Sequence, residues 1–418
     1  MLRSTIARVK VLYVLIGMAE AAILPFMALL LAERGFTPAG IGLVLALMSL
    51  AAFVASPLWG YTADRWRSAE RTLQMGASAT VALAALFPAA TGRLLLAVLS
   101  VALWVARAPL APLMDAIALS RLGEAHRSAY GGVRLWMSIG WSVAVIGWGA
   151  LLTVGIELVP VLYGSTILLV ALWVRFGLGV GDRRAAAADL SLGRTWRRRP
   201  LALAVAPAGL VSFLVSLLLL NAAFSATWNF LALRINGLGG GVLLIGVAAS
   251  LQAVTEVPTM ALSGRLAKLV DHRGLFAAGC AIHLAVFIAW SLLSSPLLIS
   301  LVKLVIGVGF ALTYVGTVVI VDDLVPKPLR ATGQGLAKAV AFGLAPVVGT
   351  LGGGLLYGLL GPRPLFLTAA AAAAAAGVIV WFASPEPRKP GRPRRLRWAG
   401  RSRVGSEAKH HDPTGECS

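Results

Sequence analysis

The chain has 418 residues, of which 58% are hydrophobic and 13% charged, and its mean hydropathy is +0.84. Because soluble proteins carry about 25% charged residues, this composition excludes a soluble globular domain and predicts a polytopic helical membrane protein. The two cysteines lie in different settings, and no Cys/His cluster has metal-ligand spacing, so neither a disulfide framework nor a metal site is predicted.

Apolar runs of about 20 residues recur along the chain, which is the length that spans a bilayer as a helix. The first run is longer than the apolar core of a signal peptide, so we expect it to be retained. The twelve predicted spans are 11–31, 41–59, 73–90, 94–118, 133–153, 158–177, 204–231, 242–262, 275–294, 297–320, 335–357 and 365–383.

The net charge of +20 follows the predicted topology. Most Lys and Arg fall on one side of the membrane, in the tails and alternate loops, and the loops of the other side hold Arg34, Arg93, Arg234 and Arg363. This bias predicts a cytoplasmic (inner) membrane protein with both termini in the cytoplasm. We expect the basic loops and tail to contact anionic lipid head groups, and nucleic-acid binding is not needed to explain the charge.

The chain divides into two similar halves. The predicted domains are a six-helix half at 1–177, a cytoplasmic loop at 178–200, a second six-helix half at 201–383 and a basic, disordered tail at 384–418. "SLAAFVASP" from Ser49 aligns with "SLQAVTEVP" from Ser250, and "RSAYGGVRLWMSIGW" from Arg127 aligns with "RATGQGLAKAVAFGL" from Arg330 at nearly the same offset. Duplicated halves predict a substrate site between them near the membrane midplane.

A polar interruption, "SPLWGYTADRWRSAERTLQMG", follows the second span. Its pattern G-x-x-A-D-R-x-x-x-x-x-R resembles the loop motif of the major facilitator superfamily, and the resemblance covers essentially the whole chain. It implies that Asp64 helps to latch the two halves at the cytoplasmic side, with Gly60 at a close turn and Arg65 and Arg71 as partners. A carboxylate beside a helix N-terminus and an arginine suits such a latch.

Three further stretches refine the resemblance. "YGGVRLWMSIGW", "SPLWGYTADR" and "EVPTM" are similar to the branch of that superfamily with phenylpropionate permeases and nucleoside/proton symporters, which is related to lactose permease. The substrates of that branch differ, so the resemblance implies a transporter without naming its solute.

Placing a charged residue inside a span costs about 2.5–3.5 kcal/mol of insertion free energy, so each such residue is expected to have a functional or structural role. Glu256, Glu20 and Asp115 are predicted to bind and release the coupling proton, and Arg107 to meet a carboxylate in one state of the cycle. The alternatives are structural pairs, Glu20 with Arg107 and Arg134 with Asp115. Arg134 is otherwise a residue of the cytoplasmic gate.

Polar stripes on several spans predict a hydrated central cavity, because a helix facing lipid would not carry them. The candidate cavity residues are Arg107, Asn221, Ser225, Trp228, Asn229, Gln252, Thr255, Lys303 and Tyr314.

These features predict an all-α secondary active transporter with twelve helices in two pseudo-symmetric halves, which moves a small organic solute across the cytoplasmic membrane by alternating access. Proton symport is the preferred mechanism, with the proton gradient in place of a cofactor, and a monomer is expected. Proton-coupled export of drug-like compounds is the alternative. A membrane-embedded enzyme or a channel is disfavoured, because catalytic and nucleotide-binding motifs are absent from the sequence and the repeat favours alternating access.

Overall fold

The structure, a computed structural model, describes residues 2–65, 68–122, 130–178, 208–269, 271–326 and 329–383. The predicted tail, the central loop beyond residue 178, and Arg127 at the start of the second repeat lie outside the described residues. Within these ranges every regular element is a helix, so the prediction of an all-α polytopic fold is confirmed.

Eight described α-helices fall within the predicted first half. They are α1 (Leu2–Ile23), α2 (Met27–Glu33), α3 (Pro38–Arg65), α4 (Ala69–Leu86), α5 (Arg93–Arg107), α6 (Leu110–Leu122), α7 (Tyr130–Leu151) and α8 (Val159–Leu172). Short 3₁₀ turns at Phe87–Ala89 and Ile156–Leu158 flank the connections, and a π-helical turn at Trp173–Gly177 follows α8.

Eight more described α-helices fall within the predicted second half. They are α9 (Ala208–Gly237), α10 (Gly241–Leu269), α11 (His272–Leu292), α12 (Pro296–Leu301), α13 (Lys303–Leu324), α14 (Arg330–Ala339), α15 (Ala345–Leu360) and α16 (Pro362–Ala383). A π-helical turn at Val340–Leu344 joins α14 to α15.

Eleven helical segments of the described residues are long and apolar enough to cross a membrane. The remaining predicted span corresponds to α7, which has 22 residues. Its five glycines, three tryptophans and Arg134 lower its hydropathy. The chain is therefore a multi-pass membrane protein.

Prolines shape several helices. Pro25 lies between α1 and α2, and Pro109 lies between α5 and α6. A proline lacks the amide hydrogen and clashes with the preceding turn, so it breaks a helix. Pro57 inside α3 and Pro258 inside α10 occupy matching positions of the sequence repeat, and both helices continue through them.

The polar stretch after the second span is more helical than its sequence predicts. α3 continues through Asp64 to Arg65, and Gly60 lies inside it with open space where a Cβ would be. The close turn that the resemblance implied is therefore not at Gly60. The helix continues because no residue between Leu58 and Arg65 breaks its hydrogen bonding.

We call the end of the bundle that carries Asp64 and Arg71 the Asp64 end, and the opposite end, which carries Gly35 and Gly361, the Gly35 end. The two halves cross closely near the Gly35 end. A Cβ on Gly354 of α15 would lie 2.7 Å from the Gly42 Cα of α3. Only glycine allows so close an approach of two backbones.

A second crossing between the halves joins α7 and α10. A Cβ on Gly246 would lie 3.3 Å from the Gly149 Cα, and the Ser250 hydroxyl donates a hydrogen bond to the Ser142 carbonyl at 3.1 Å. The repeat relates α3 to α10 and α7 to α15, so it exchanges the two crossings. Both crossings bring the halves together towards the Gly35 end.

Candidate functional site

The first charged cluster is buried in the first half. The Arg107 guanidinium, at the last residue of α5, forms a salt bridge with the Glu20 carboxylate of α1. Its Nε donates a hydrogen bond to the Tyr163 hydroxyl at 3.2 Å, and its Cζ lies 4.6 Å from the centroid of the Trp104 ring. We call Glu20, Arg107, Tyr163 and Trp104 the Arg107 cluster. The pairing is the structural alternative raised from the sequence.

The position of the Arg107 cluster follows from the helix breaks. Glu20 lies in the turns before Pro25, and Arg107 lies two residues before Pro109. Interrupted helices free backbone groups and place side chains inside a bundle, which suits buried polar residues. Glu20 is 6% exposed, so its charge is compensated within the protein and not by solvent.

A second cluster joins α1, α6 and α7 nearer to the Asp64 end. The Tyr13 hydroxyl donates to Asp115 Oδ1 at 2.7 Å, and Arg134 Nη1 lies 3.1 Å from Asp115 Oδ2. The Arg134 side chain is 50% exposed. Arg134 therefore pairs with Asp115, which is the structural alternative raised from the sequence.

The third cluster joins α9, α10 and α13 in the second half. Lys303 Nζ donates to Gln252 Oε1 at 3.2 Å, and Gln252 Nε2 lies 3.5 Å from Glu256 Oε2. The ammonium also lies 3.7 Å from the centroid of the Trp228 ring. We call Trp228, Gln252, Glu256 and Lys303 the Lys303 cluster.

Charges in the Lys303 cluster are linked indirectly. Lys303 is 4% exposed, and the amide of Gln252 separates it from Glu256. The half-buried Glu256 accepts only this long hydrogen bond among the described residues. Trp228, predicted as a substrate contact, presents its ring to Lys303 in this conformation. The cluster is thus a bridge between a buried cation and a more accessible carboxylate.

Other predicted cavity residues hydrogen bond within or between helices. The Asn221 and Asn229 amides each donate to a carbonyl one turn earlier, at Leu217 and Ser225. The Thr255 hydroxyl lies 2.6 Å from the Leu304 carbonyl and so ties α10 to α13.

Of the predicted gate residues, Asp64, Arg65 and Arg71 are exposed at the Asp64 end and Gly60 is half-buried. Within the described residues, Asp64 makes no ion pair with Arg65 or Arg71. Arg65 instead lies beside the Tyr61 ring, with its Cζ 5.8 Å from the ring centroid. The Ser68 hydroxyl caps the N-terminus of α4 by accepting a hydrogen bond from the Arg71 backbone amide. The two arginines that the resemblance implied as partners of Asp64 are therefore not paired with it in this conformation.

A cavity opens between α9, α13 and the α14–α15 segment. It is lined by Leu217, Asn221, Phe310, Thr313, Tyr314, Thr317, Val318, Gln334, Ala337, Lys338, Ala341 and Phe342. Asn221 and Tyr314 were predicted as cavity residues. The π-helical turn at Val340–Leu344 contributes two of the lining residues, and such turns are frequent at functional sites.

Sequence reasoning missed several partners. Tyr163 stands in an apolar run and carries one hydroxyl, so nothing in the sequence connects it with Arg107. Gln334 and Lys338 are one turn apart on α14, which was a detectable polar pair at the start of a span. Trp290, whose ring centroid lies 5.7 Å from Lys303 Nζ, is hidden among other aromatic residues.

Comparisons with known proteins agree with this architecture. The sequence pattern of the MFS_1 like family matches residues 6–368. The maltose permease of Geobacillus stearothermophilus is 27% identical over 350 residues, which cover 82% of this chain and 86% of the permease.

Two crystal structures have the same fold. That of the nucleoside transporter NupG superposes with a TM-score of 0.79 at 18% identity, covering 90% of this chain and 98% of the transporter. That of a D-xylose-proton symporter superposes with a TM-score of 0.64 at 11% identity, covering 92% of this chain and 98% of the symporter. At these identities the likeness concerns the fold.

Proposed function

Because this chain belongs to the MFS_1 like family and is a membrane transporter rather than an enzyme, we propose that it carries a small organic solute in symport with protons. The two halves rock about the central cavity, and the proton gradient drives accumulation. The names of two similar proteins, a maltose permease and a D-xylose-proton symporter, are in keeping with solute uptake and with proton coupling.

The observation that carries the proposal is the indirect link between Glu256 and Lys303. The Glu256 carboxylate accepts one hydrogen bond, from the Gln252 amide at 3.5 Å, and it contacts no cation directly. Protonation of Glu256 therefore breaks no direct ion pair. While Glu256 is charged, a conformational change that buries it further costs desolvation energy. Once protonated, Glu256 can be buried as a neutral group. Proton binding to Glu256 would therefore lower the energetic cost of the conformational change.

The arrangement of the halves supports alternating access. The glycine crossings hold the halves together towards the Gly35 end, whereas Asp64, Arg65 and Arg71 are exposed and unlatched at the other end. We infer that the central cavity is accessible from the Asp64 end in this conformation. Closure there would bring the gate residues together and separate the crossings.

The bias of Lys and Arg supports the proposed orientation. We infer that the protein lies in the cytoplasmic membrane with the Asp64 end inside, acts as a monomer and holds anionic lipids at its basic loops. In a chain with Cys417→Ser, a cysteine placed at Glu157, which is exposed at the Gly35 end, should react with an impermeant maleimide on whole cells. Labelling only after cell lysis would show that the orientation is the opposite one.

The symport proposal is tested with the purified full chain in proteoliposomes. A panel of aromatic acids, nucleosides and short oligosaccharides is offered under an imposed inward proton gradient, and solute uptake and internal pH are recorded. We expect a transported solute to acidify the lumen. Glu256→Gln should abolish uphill accumulation and retain exchange of the solute across the membrane, because the neutral amide mimics the protonated carboxyl group.

Glu157→Gln is the matched control, since it neutralises an exposed carboxylate far from the cavity. It should accumulate solute as the parent does. If Glu256→Gln also accumulates solute uphill to the parental level, Glu256 does not carry the coupling proton and the proposal is wrong.

A further inference from the structure

We propose that the cavity between α9, α13 and α14 selects an organic anion with a flat ring, in which Lys338 binds the anionic group and Phe310 with Tyr314 receive the ring. This inference rests on the proposed function as a transporter and names the class of its solute. It is carried by the lining of the cavity.

The charge of the lining favours an anion. Lys338 is the charged residue among the twelve that line the cavity, and none of the twelve is acidic. Its side chain is exposed, and it forms no ion pair with any described residue. An ammonium without a protein counter-charge attracts a carboxylate or sulfonate.

Hydrogen-bond donors in the lining point to the same class. The Asn221 amide donates to the Leu217 carbonyl, the Gln334 amide to Val318, and the Thr317 hydroxyl to Thr313. The Tyr314 hydroxyl and the Lys338 ammonium have no such partner among the described residues. An ammonium and a hydroxyl that no described residue engages suit the oxygens of one acidic group, whereas a neutral oligosaccharide would require polar partners along its whole length.

The apolar wall of the cavity is aromatic. The rings of Phe310 and Tyr314 are stacked with their centroids 6.0 Å apart, and Phe224 continues the row at 5.3 Å from Phe310. Phe224 in turn lies 5.8 Å from Trp228, whose other neighbour is Lys303. The row of half-buried rings therefore extends from the cavity to the Lys303 cluster. A flat ring stacks on such a wall at little entropic cost.

The test measures binding to the purified full chain in detergent by isothermal titration calorimetry. The probes are naphthalene-2-carboxylate, naphthalene-2-sulfonate, the neutral 2-naphthamide, maltose and uridine. We expect both anions to bind at least ten-fold more tightly than the amide. Lys338→Gln should weaken the anions about ten-fold and leave the amide unchanged, and Lys338→Arg should retain anion binding.

Two variants separate the charge from the ring. Tyr314→Phe should weaken the anions by a smaller factor than Lys338→Gln, because it removes one donor and keeps the ring. Arg8→Gln is the matched control, since Arg8 is an exposed cation near the Asp64 end that does not line the cavity. It should bind all probes as the parent does, and thermal unfolding of each variant verifies that it is folded.

The outcomes distinguish this inference from the symport proposal. Equal binding of the anions and the amide, no binding of the anions, or parental affinity in Lys338→Gln would each overturn it. If maltose or uridine is accumulated with protons through Glu256 while the anions do not bind, symport stands and the anion site is wrong. If the anions bind through Lys338 but no solute moves protons, the anion site stands and symport is wrong.

Discussion

The two halves hold their buried charges in different ways. In the Arg107 cluster the cation contacts its carboxylate directly, and a tyrosine hydroxyl accepts a hydrogen bond from its Nε–H. In the Lys303 cluster an amide stands between cation and carboxylate, and the cation rests on an aromatic ring. A direct buried pair resists change because either partner alone is strongly destabilising. An indirect pair can lose one charge, so it suits a group that titrates during a cycle.

The largest expected effect breaks the direct pair. Arg107→Leu leaves the Glu20 carboxylate buried without a counter-charge, which should lower the free energy of unfolding by about 3–5 kcal/mol. The measurement is thermal unfolding of the purified protein in detergent. The double variant Glu20→Gln with Arg107→Leu should recover most of this loss, because no uncompensated charge remains. Parental stability of Arg107→Leu would show that the pair does not fix the packing of the first half.

A smaller effect is expected from the tyrosine of the same cluster. Tyr163→Phe removes the acceptor of the Arg107 Nε–H and leaves this donor buried, which should cost about 1–3 kcal/mol. Unfolding temperature is again the measurement, and solute exchange should persist because the salt bridge remains. Tyr357→Phe is the control, since its ring stacks on Phe230 and its hydroxyl has no hydrogen-bond partner among the described residues. Equal losses in both variants would contradict the role of Tyr163.

The contrast also explains what the sequence could predict. Apolar runs of sufficient length identify the spans because the bilayer requires them, and the repeat with its motif identifies the family. Charges inside the predicted spans identify Glu20, Arg107, Glu256 and Lys303 as unusual. Their pairing depends on how helices rotate against one another, and hydropathy does not encode this rotation.

Local polar signals were less informative than buried charges. Tyr163 could not be found, because one hydroxyl in an apolar run has no periodic neighbour. From the sequence, Lys338 near the start of a span is equally typical of a lysine that extends its ammonium towards the membrane surface. Only the packing of α9 and α13 against α14 makes it part of a cavity wall. The glycine crossings were equally compatible with ordinary packing until the opposing backbones were located.

The smallest expected effect concerns the indirect pair of Lys303 and Glu256, and it is again measured by thermal unfolding of the purified protein in detergent. Lys303→Met loses a cation–π contact of about 2 kcal/mol, but it also removes a buried ammonium, so the net loss should stay below about 1 kcal/mol. Glu256 is only half-buried and keeps its bond to Gln252, so no fully buried charge is left behind. Lys303→Arg keeps the positive charge but changes the size of the side chain, so it serves as the control for the effect of altered packing. A loss as large as that of Arg107→Leu would make the two clusters equivalent, and the division between a fixed and a titrating pair would then be untenable.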